Sequence, residues 1–356
     1  MIVQPIFLRG RADDRQSRAF PILHAIIQKH RETLAMTRTF LKSFAWPLLL
    51  VMLLTTTTAL ARAEAKKASD IRIVFVTHGE ASDTYWSVVK NGVLDGQKAM
   101  GSNVEYFAPE VWDVVKMAKL IDTAIASKPD GLVVTIPDMQ AIGSRVKKAA
   151  DAGIPVIVID TGEAEVPKVG AKFYIGPGPY LESGRQAAKH LRAEGVTHGV
   201  CINHEVGNAG NDEACAGFVE GMEGKADILA VTMDPTEVQT RVEAYLSAKP
   251  DTNGAFALGP SSAVPTLAAL KNRRLTGKVK FGTFNLTPEI LKALINGEMS
   301  FAIDFQQYLL GYLPVVFLTM NSLYQTMPTA NVYTGPSFVT GKEAAQVLEL
   351  SKVGIR

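Results

Sequence analysis

The sequence predicts an α/β protein whose parallel sheets are covered on both faces by helices. Short β-branched runs alternate with helix-period segments from Ile71 onward, about ten such runs occur, and a Gly-Pro-rich turn, Gly176–Pro179, interrupts them midway. Regular alternation of strand and helix is typical of parallel sheets with helical crossovers. About ten strands approach the limit of one open sheet, so we expect two sheets in two lobes, with the turn as a crossover between them.

The first half of the body gives four strands with helical patterns between them. Trp86, Val89 and Val93 recur at helical spacing after the first strand, and Val114 and Ile121 do so after the second. The strands are rich in valine and isoleucine with little polar alternation, which is typical of strands buried on both faces. The predicted strands are Ile71–Val76, Val104–Phe107, Gly131–Ile136 and Pro155–Asp160.

The second half repeats the same cycle after the Gly-Pro-rich turn. The predicted strand Phe173–Ile175 leads into the turn, and the predicted strands after it are Gly199–Asn203, Ile228–Thr232, Ala255–Leu258 and Lys280–Phe284. The predicted helices are Leu181–Glu194, Glu213–Met222, Thr236–Ala248 and Ala263–Lys271.

The N-terminal segment has the pattern of a secretory signal. A basic stretch after Met36 precedes the apolar run Phe44–Leu54, and small residues with A-x-A spacing follow, which predicts cleavage near Ala61 or Ala63. The apolar run is shorter than the roughly 20 residues of a spanning helix. A signal anchor remains an alternative interpretation, because residues 43–61 carry no charged side chain. We interpret 36–63 as the signal peptide and 1–35 as a mis-assigned extension, the alternative being a long n-region.

The charge differs between the N-terminal segment and the body. Nine of the 37 Lys and Arg residues and three of the 35 Asp and Glu residues lie in 1–63, which leaves 28 basic and 32 acidic residues after it. The body therefore has a formal charge of −4 although the whole chain has +2. A mildly acidic body argues against nucleic acid as a partner.

Polar side chains follow the predicted strands where ligands bind in open parallel sheets, beyond their carboxyl ends. Carboxylates and amides with a Tyr-Trp pair suit a neutral polyhydroxyl ligand, because carboxylate oxygens accept from hydroxyls and flat rings cover C–H faces. Each such Asp or Asn could instead cap the following helix, and Trp86 could be a core residue. The strand-end candidates are Asp83, Tyr85, Trp86, Asp138, Asp160, Asn285 and Asp304.

From about Ile71 to the end, the chain resembles the type I periplasmic solute-binding proteins of the sugar-binding, ribose-binding-protein-like family. The segments that carry the resemblance, by order and spacing, are Asp83–Trp86, Pro155–Asp160, Gly184–Ala188, Cys215–Phe218, Asp234–Glu237 and Ile303–Pro314. The resemblance implies two Rossmann-like lobes joined by a three-crossover hinge, with the ligand between them. It implies an N-terminal lobe of 70–176 plus 305–334 and a C-terminal lobe of 177–304 plus 335–356.

The resemblance also implies site residues, with some departures. Asp83, Asp160, Asn285 and Asp304 match polar ligand positions of the family, and Tyr85 with Trp86 matches its aromatic pair. The arginine that often grips the sugar is missing from the stretch Asn208–Ala214, in which Asp212 or Ala214 stands where a base is expected. Asn211 and Asp212 of this stretch are further predicted ligand contacts, and Thr161 and Gly259 are further departures. Because these positions hold several acids and few bases, an amino or cationic ligand remains an alternative to a neutral sugar.

The implied function is that of a periplasmic receptor that delivers a sugar or polyol to an ABC permease at the inner membrane. Such a protein works as a monomer, without a cofactor, metal, nucleic acid or catalytic residue. Alternatives are a secreted glycosidase that uses two of the carboxylates, a binding protein that serves a chemoreceptor, and an effector domain of a transcriptional regulator. The signal and the acidic body argue against the regulator.

Cysteine and histidine usage adds two expectations. Cys201 on a predicted strand and Cys215 on the next helix either form a disulfide or remain buried thiols. His78, His198 and His204 lack the spacing of metal ligands, so we expect solvated or core histidines.

Overall fold

A computed structural model describes residues 66–79 and 83–356 as two α/β lobes. The predicted extension 1–35 and signal peptide 36–63 lie outside the described residues. None of the helices in the described part has the length and hydropathy needed to cross a bilayer.

The first lobe is built on a six-stranded, all-parallel sheet with strand order β11-β5-β4-β3-β1-β2. Its strands are β1 (Arg72–Val76), β2 (Asn103–Phe107), β3 (Gly131–Val134), β4 (Val156–Ile159), β5 (Phe173–Gly176) and β11 (Val332–Tyr333). Its helices are α1 (Thr84–Met100), α2 (Val114–Ala126), α3 (Met139–Asp151), the short α4 (Val166–Val169) and α10 (Gln307–Tyr324). Two 3-10 turns, Ala68–Asp70 and Glu163–Glu165, complete it.

The second lobe repeats the plan with strand order β12-β10-β9-β8-β6-β7. Its strands are β6 (Gly199–Asn203), β7 (Ala226–Ala230), β8 (Gly254–Ala257), β9 (Lys280–Phe284), β10 (Phe301–Asp304) and β12 (Ser337–Val339). Its helices are α5 (Tyr180–Ala193), α6 (Ala209–Gly221), α7 (Pro235–Ala248), α8 (Pro260–Asn272), α9 (Pro288–Ile295) and α11 (Gly341–Lys352).

Local chemistry explains where several helices begin. Asp83, Asp113, Asp138 and Asn208 each precede a helix and accept backbone N–H groups of its first turn. This N-cap bond satisfies donors that the helix leaves without an internal partner. Gly101 ends α1 in the left-handed conformation that glycine adopts most readily.

The α/β class and the two parallel-sheet lobes are confirmed, with one departure at a sheet edge. Strand β12 pairs antiparallel with β10, and the alternation pattern does not predict it. The strand follows β11 of the other sheet after only a few residues, without the helical crossover that a parallel strand within one sheet requires. Helix α10 is also absent from the predicted elements and contains Pro314.

Three segments pass between the sheets, at 177–179, 305–306 and 334–336, as the alternation of strands between the two sheets requires. The lobe limits 70–176 plus 305–334 and 177–304 plus 335–356 stay a prediction. One apolar cluster is continuous between the sheets through Tyr180, Phe284 and Phe305, whose ring centroids lie 4.6–6.1 Å apart. In the second lobe a disulfide between Cys201 of β6 and Cys215 of α6 ties strand to helix.

Candidate functional site

The carboxyl ends of the strands in both sheets meet at one cavity between the lobes. Residues that follow β1 and β4 line it from the first lobe, residues that follow β6, β8 and β9 line it from the second, and Phe305 after β10 completes it. The cavity volume open to the centres of water molecules is about 40 Å³. Since one water needs about 10–15 Å³ by that measure, the cavity has room for a few waters or one small ligand.

The start of α1 supplies an acid and an aromatic pair. Asp83 is the N-cap, and its Oδ1 accepts the Tyr85 N–H at 2.9 Å. Tyr85 and Trp86 in the first turn are 8% and 2% exposed, and their rings meet edge to face with centroids 5.0 Å apart. The cap therefore positions an acceptor and two aromatic surfaces on the same side of the cavity.

Asp160, directly after β4, is the central carboxylate. It is 4% exposed and has a left-handed φ of 63°. Its Oδ1 accepts hydrogen bonds from the Tyr85 hydroxyl of its own lobe and, at 3.0 Å, from the Tyr180 hydroxyl of the other lobe. Burial raises its pKa to about 6, against the lowering effect of the two tyrosine hydroxyls and with a further upward effect from Asp83.

Asn285 occupies the matching position in the second lobe. It follows β9, which stands third in its sheet as β4 does in the other, and its φ of 66° is also left-handed. The side chain is 4% exposed, and its Oδ1 is buried without a hydrogen-bond partner among the described residues. A buried acceptor left unpaired costs free energy, so this atom fits a hydrogen-bond donor from a ligand.

His78, two residues after β1, lines the cavity as a neutral imidazole. Thr135 Oγ1 lies 2.8 Å from its Nδ1, and Asn208 Nδ2 donates to its Nε2 across the two lobes at 3.2 Å. An Nε2 that accepts a hydrogen bond carries no proton. Burial, with a smaller effect from His204, lowers the pKa of His78 to about 3.

Asn208 and Glu205 form a polar pair opposite His78. Asn208 Nδ2 also donates to Glu205 Oε2 at 2.8 Å, so one amide group connects a histidine of the first lobe with a carboxylate of the second. A backbone bond from Ala209 N to Pro137 O at 3.0 Å joins the lobes beside it. These contacts hold the structure in a closed arrangement.

Six of the nine predicted ligand-binding residues line the cavity. They are Asp83, Tyr85, Trp86, Asp160, Asn211 and Asn285. Their assignment as ligand contacts stays a prediction, since the cavity shows only that their side chains converge.

The other three predicted residues are not among those lining the cavity, and each carboxylate has another structural role. Asp138 caps α3 by accepting the N–H groups of Gln140 and Ala141. Asp212 accepts from Asn203 Nδ2 and Gly207 N at 2.8 and 3.1 Å. Asp304 is fully buried and pairs with Arg356 at 2.5 Å. The helix-cap interpretation thus explains Asp138.

Several lining residues are not among the predicted ligand contacts. The spacing of His78 and His204 predicts solvated or core histidines, yet both line the cavity, and burial lowers the pKa of His204 to about 4. Glu205 and Asn208 follow β6 closely, as His78 follows β1, so their strand-end position could have identified them. No such position signals Tyr180, at the start of α5 after the first crossover.

The composition of the lining restricts the chemistry. Among the described residues that line the cavity, none is lysine or arginine. No group of three or more metal-ligating side chains occurs within residues 66–79 and 83–356. Carboxylates, amides and aromatic rings make this a recognition site rich in acceptors.

Comparison with known proteins agrees with this architecture. The sequence profile of the periplasmic binding protein domain matches residues 73–321. The xylose/arabinose-binding protein XylF of Sulfolobus acidocaldarius is 23% identical over 300 residues, 79% of this chain and 74% of the relative. The D-ribose/D-allose-binding protein of Pseudomonas aeruginosa is 24% identical over 258 residues, 67% of this chain and 78% of the relative.

A solved structure extends the likeness to three dimensions. The carbohydrate transporter from Acidothermus cellulolyticus 11B, in complex with myo-inositol, superposes with a TM-score of 0.76 at 29% identity. The match covers 80% of this chain and 99% of that one. With two parallel-sheet lobes, a cavity between them and a profile match over well more than half of its length, the chain belongs to the periplasmic binding protein family.

Proposed function

We propose that this protein is a periplasmic solute-binding protein that closes its two lobes around a sugar or polyol and delivers it to an ABC importer. In this proposal the protein is exported, acts as a monomer, and releases the ligand unaltered to a permease at the inner membrane. In the alternative role, a chemoreceptor recognises the same ligand-bound form of the protein.

The observation that carries the proposal is the acceptor-rich cavity itself. It lies between the lobes and includes Asn285 Oδ1, for which the described part of the chain offers no hydrogen-bond partner. It also brings together the carboxylates of Asp83 and Asp160 with the rings of Tyr85 and Trp86. Hydroxyl groups can donate to these acceptors while the ring carbons contact the aromatic faces.

The relatives support the same ligand class. Their names specify xylose or arabinose in one case and ribose or allose in another, and the solved neighbour holds myo-inositol. All of these are small polyhydroxyl compounds.

Hinge closure supplies the mechanism. Two lobes joined by a few short segments can rotate as units about those segments, and periplasmic binding proteins are a well-known case of such motion. The cross-lobe bonds from Tyr180 to Asp160 and from Asn208 to His78 form only when the lobes meet. Closure around the ligand then displays one surface, made of both lobes, to the permease.

The test is calorimetric titration of the purified protein with a panel of pentoses, hexoses, inositols and amino sugars. We expect at least one compound to bind, and Asp160→Ala to weaken its binding about 100-fold, because a buried acceptor of charged hydrogen bonds is lost. Asp138→Ala is the matched control, since Asp138 follows the neighbouring strand outside the cavity and should leave affinity within about threefold. Unchanged affinity in Asp160→Ala, or chemical turnover of the ligand, would contradict the proposal.

A further inference from the structure

We infer that the disulfide between Cys201 and Cys215 is a positioning device for the ligand cavity. It holds residues 203–212, a polar wall that the second lobe contributes, in the arrangement that meets the first lobe. This inference rests on the proposed function, because the position of the wall affects binding only if the cavity takes a ligand.

The two cysteines enclose this wall along the chain. Cys201 lies in β6 and Cys215 in α6, with a sequence separation of 14. The covalent loop that they close therefore includes the end of β6, the turn after it and the first turn of α6. Four residues that line the cavity lie inside the loop: His204, Glu205, Asn208 and Asn211.

The same loop makes hydrogen bonds to the first lobe. Asn208 Nδ2 donates to His78 Nε2 at 3.2 Å, and Ala209 N donates to Pro137 O at 3.0 Å. A displacement of the loop by about 1 Å would take both bonds outside hydrogen-bond distance. Closure of the lobes therefore depends on where the start of α6 lies relative to β6.

Non-covalent interactions hold the start of α6 only weakly. The helix begins Ala-Gly-Asn-Asp at 209–212, and glycine, asparagine and aspartate have low helix propensity. Asn203 Nδ2 and Gly207 N donate to Asp212 at 2.8 and 3.1 Å, but Asp212 is exposed. Water competes for such bonds, so their net stabilisation is small. A covalent bond is not exchanged for water, and it still holds the loop when these hydrogen bonds open.

The disulfide lies where it can supply this constraint. Both cysteines are fully buried, in the same apolar cluster as Phe218 and Phe256. The bond joins the middle of β6 to the second turn of α6. It therefore fixes the helix to the strand a short distance behind the wall.

Packing of α6 on α5 is the competing explanation for the position of the wall. A Cβ on Gly184 would lie 2.0 Å from the Ala214 carbonyl oxygen, and one on Gly217 would lie 1.9 Å from the Leu181 carbonyl oxygen. These close contacts hold α6 against a neighbouring helix from Ala214 onward. They do not connect the helix to β6, as the disulfide does.

The experiment begins with a thiol titration of the denatured protein, which should find no free thiol. The test variant combines Cys201→Ala with Cys215→Ala. Val242→Ala is the matched control, because Val242 of α7 is a buried core residue of the same lobe and does not line the cavity. Both variants should be less stable than wild type in urea. Wild type kept reduced by a phosphine reductant in mild urea replaces the double variant if that variant does not fold.

Hydrogen exchange followed by mass spectrometry measures the position of the wall without any ligand. Residues 203–212 are compared with 138–146, the corresponding start of α3 in the first lobe. We expect exchange in 203–212 of the double variant to be at least about tenfold faster than in wild type, with 138–146 unchanged. Val242→Ala should leave the ratio of the two segments as in wild type. General loss of stability would accelerate both segments alike.

Calorimetric titration with myo-inositol, D-ribose and D-xylose measures the effect on binding. We expect the double variant to bind the best of these compounds about tenfold more weakly than wild type, because the apparent affinity falls with the fraction of molecules whose wall is in place. Val242→Ala should bind that compound within about threefold of wild type.

The outcomes separate this inference from the proposed function. Free thiols in the purified protein, equal exchange of 203–212 in wild type and the double variant, or unchanged affinity of the double variant would overturn the inference and leave the proposed function standing. If none of these compounds and no member of the wider panel binds wild type, the proposed function and the role of the disulfide in binding both fail.

Discussion

Asp160 combines an unusual backbone conformation, burial and hydrogen bonding in one residue. A positive φ is uncommon outside glycine, but aspartate and asparagine tolerate it better than most residues. Asp160 and Asn285 both adopt it directly after the third strand of their sheets. The sharp turn of the chain at both strand ends coincides with side chains that reach the cavity from opposite lobes.

The raised pKa of Asp160 predicts that its negative charge lowers the stability of the folded protein above pH 6. Burial raises the pKa of its carboxyl from 3.8 to about 6, which corresponds to about 3 kcal/mol. The folded state therefore binds the proton more tightly than the unfolded chain. This contribution to stability is fully present below pH 3.8 and is lost as the pH rises to 6.

Asp160→Asn should therefore stabilise the ligand-free protein at neutral pH. The amide keeps an acceptor for Tyr85 and Tyr180 and tolerates the left-handed φ, but it carries no charge. We expect its gain in the free energy of unfolding over wild type, measured in urea, to be up to about 3 kcal/mol larger at pH 7.5 than at pH 4. Asp138→Asn should show no such pH-dependent gain. If Asp160 is hydrated in the folded state, the gain of Asp160→Asn over wild type would be the same at both pH values, which would contradict the prediction.

At the scale of elements, glycines set the distance between paired helices. A Cβ on Gly311 of α10 would lie 2.0 Å from the Val89 carbonyl oxygen of α1, and one on Gly92 of α1 would lie 2.0 Å from the Tyr308 carbonyl oxygen of α10. Helices α5 and α6 repeat this through Gly184 and Gly217, where the corresponding distances are 2.0 and 1.9 Å. Each lobe thus has a helix pair whose backbones approach closely at glycines, and α1 and α6 start at the cavity.

Gly311→Ala should destabilise the first lobe. The added methyl group meets backbone, which cannot rotate away, so the helices must separate and lose packing. We expect a loss of about 1–3 kcal/mol in the free energy of unfolding, measured by urea denaturation. Lys98→Ala, an exposed position on α1, should change it by less than about 0.5 kcal/mol. Equal stabilities of the two variants would show that the helix contact is looser than described.

At the scale of the molecule, the protein is two copies of one plan that meet at their strand ends. The two sheets have the same strand order relative to their own numbering, and within residues 66–79 and 83–356 β12 is the one strand that runs antiparallel. Three chain crossings connect them, so relative motion of the lobes needs changes at few residues. Among the described residues, the polar contacts that close the cleft include Tyr180 with Asp160, Asn208 with His78, and Ala209 with Pro137.

Ligand should therefore compact the protein. We expect the radius of gyration from small-angle X-ray scattering to fall when the protein is saturated with a ligand found in the titration panel. Asn208→Ala removes the amide between His78 and Glu205, so it should weaken affinity about tenfold and still reach the compact state at higher ligand concentration. Ser247→Ala, on the exposed surface of α7, should match wild type. A radius unchanged by saturation would exclude lobe closure.

Local patterns in the sequence were sufficient to predict the class of the fold and many of the residues that line the cavity. Strand and helix alternation gives the parallel sheets, and the strand-end rule gives Asp83, Asp160 and Asn285 before any coordinates are known. The same rule also selected Asp138 and Asp304, and the family resemblance selected Asp212. A carboxylate at such a position can cap a helix, pair with a neighbour or face a ligand. Spacing does not separate these roles.

The sequence by itself determined an α/β chain with two parallel sheets and acidic, amide-bearing strand ends. Only the tertiary structure decided which of those side chains share a cavity, that Tyr180 and Glu205 of the second lobe face Asp160 and His78 of the first, and that His78 lines this cavity as a neutral imidazole. The physical reason is range: periodicity reports on neighbours along the chain, whereas the cavity depends on how two lobes, distant in sequence, meet across a hinge.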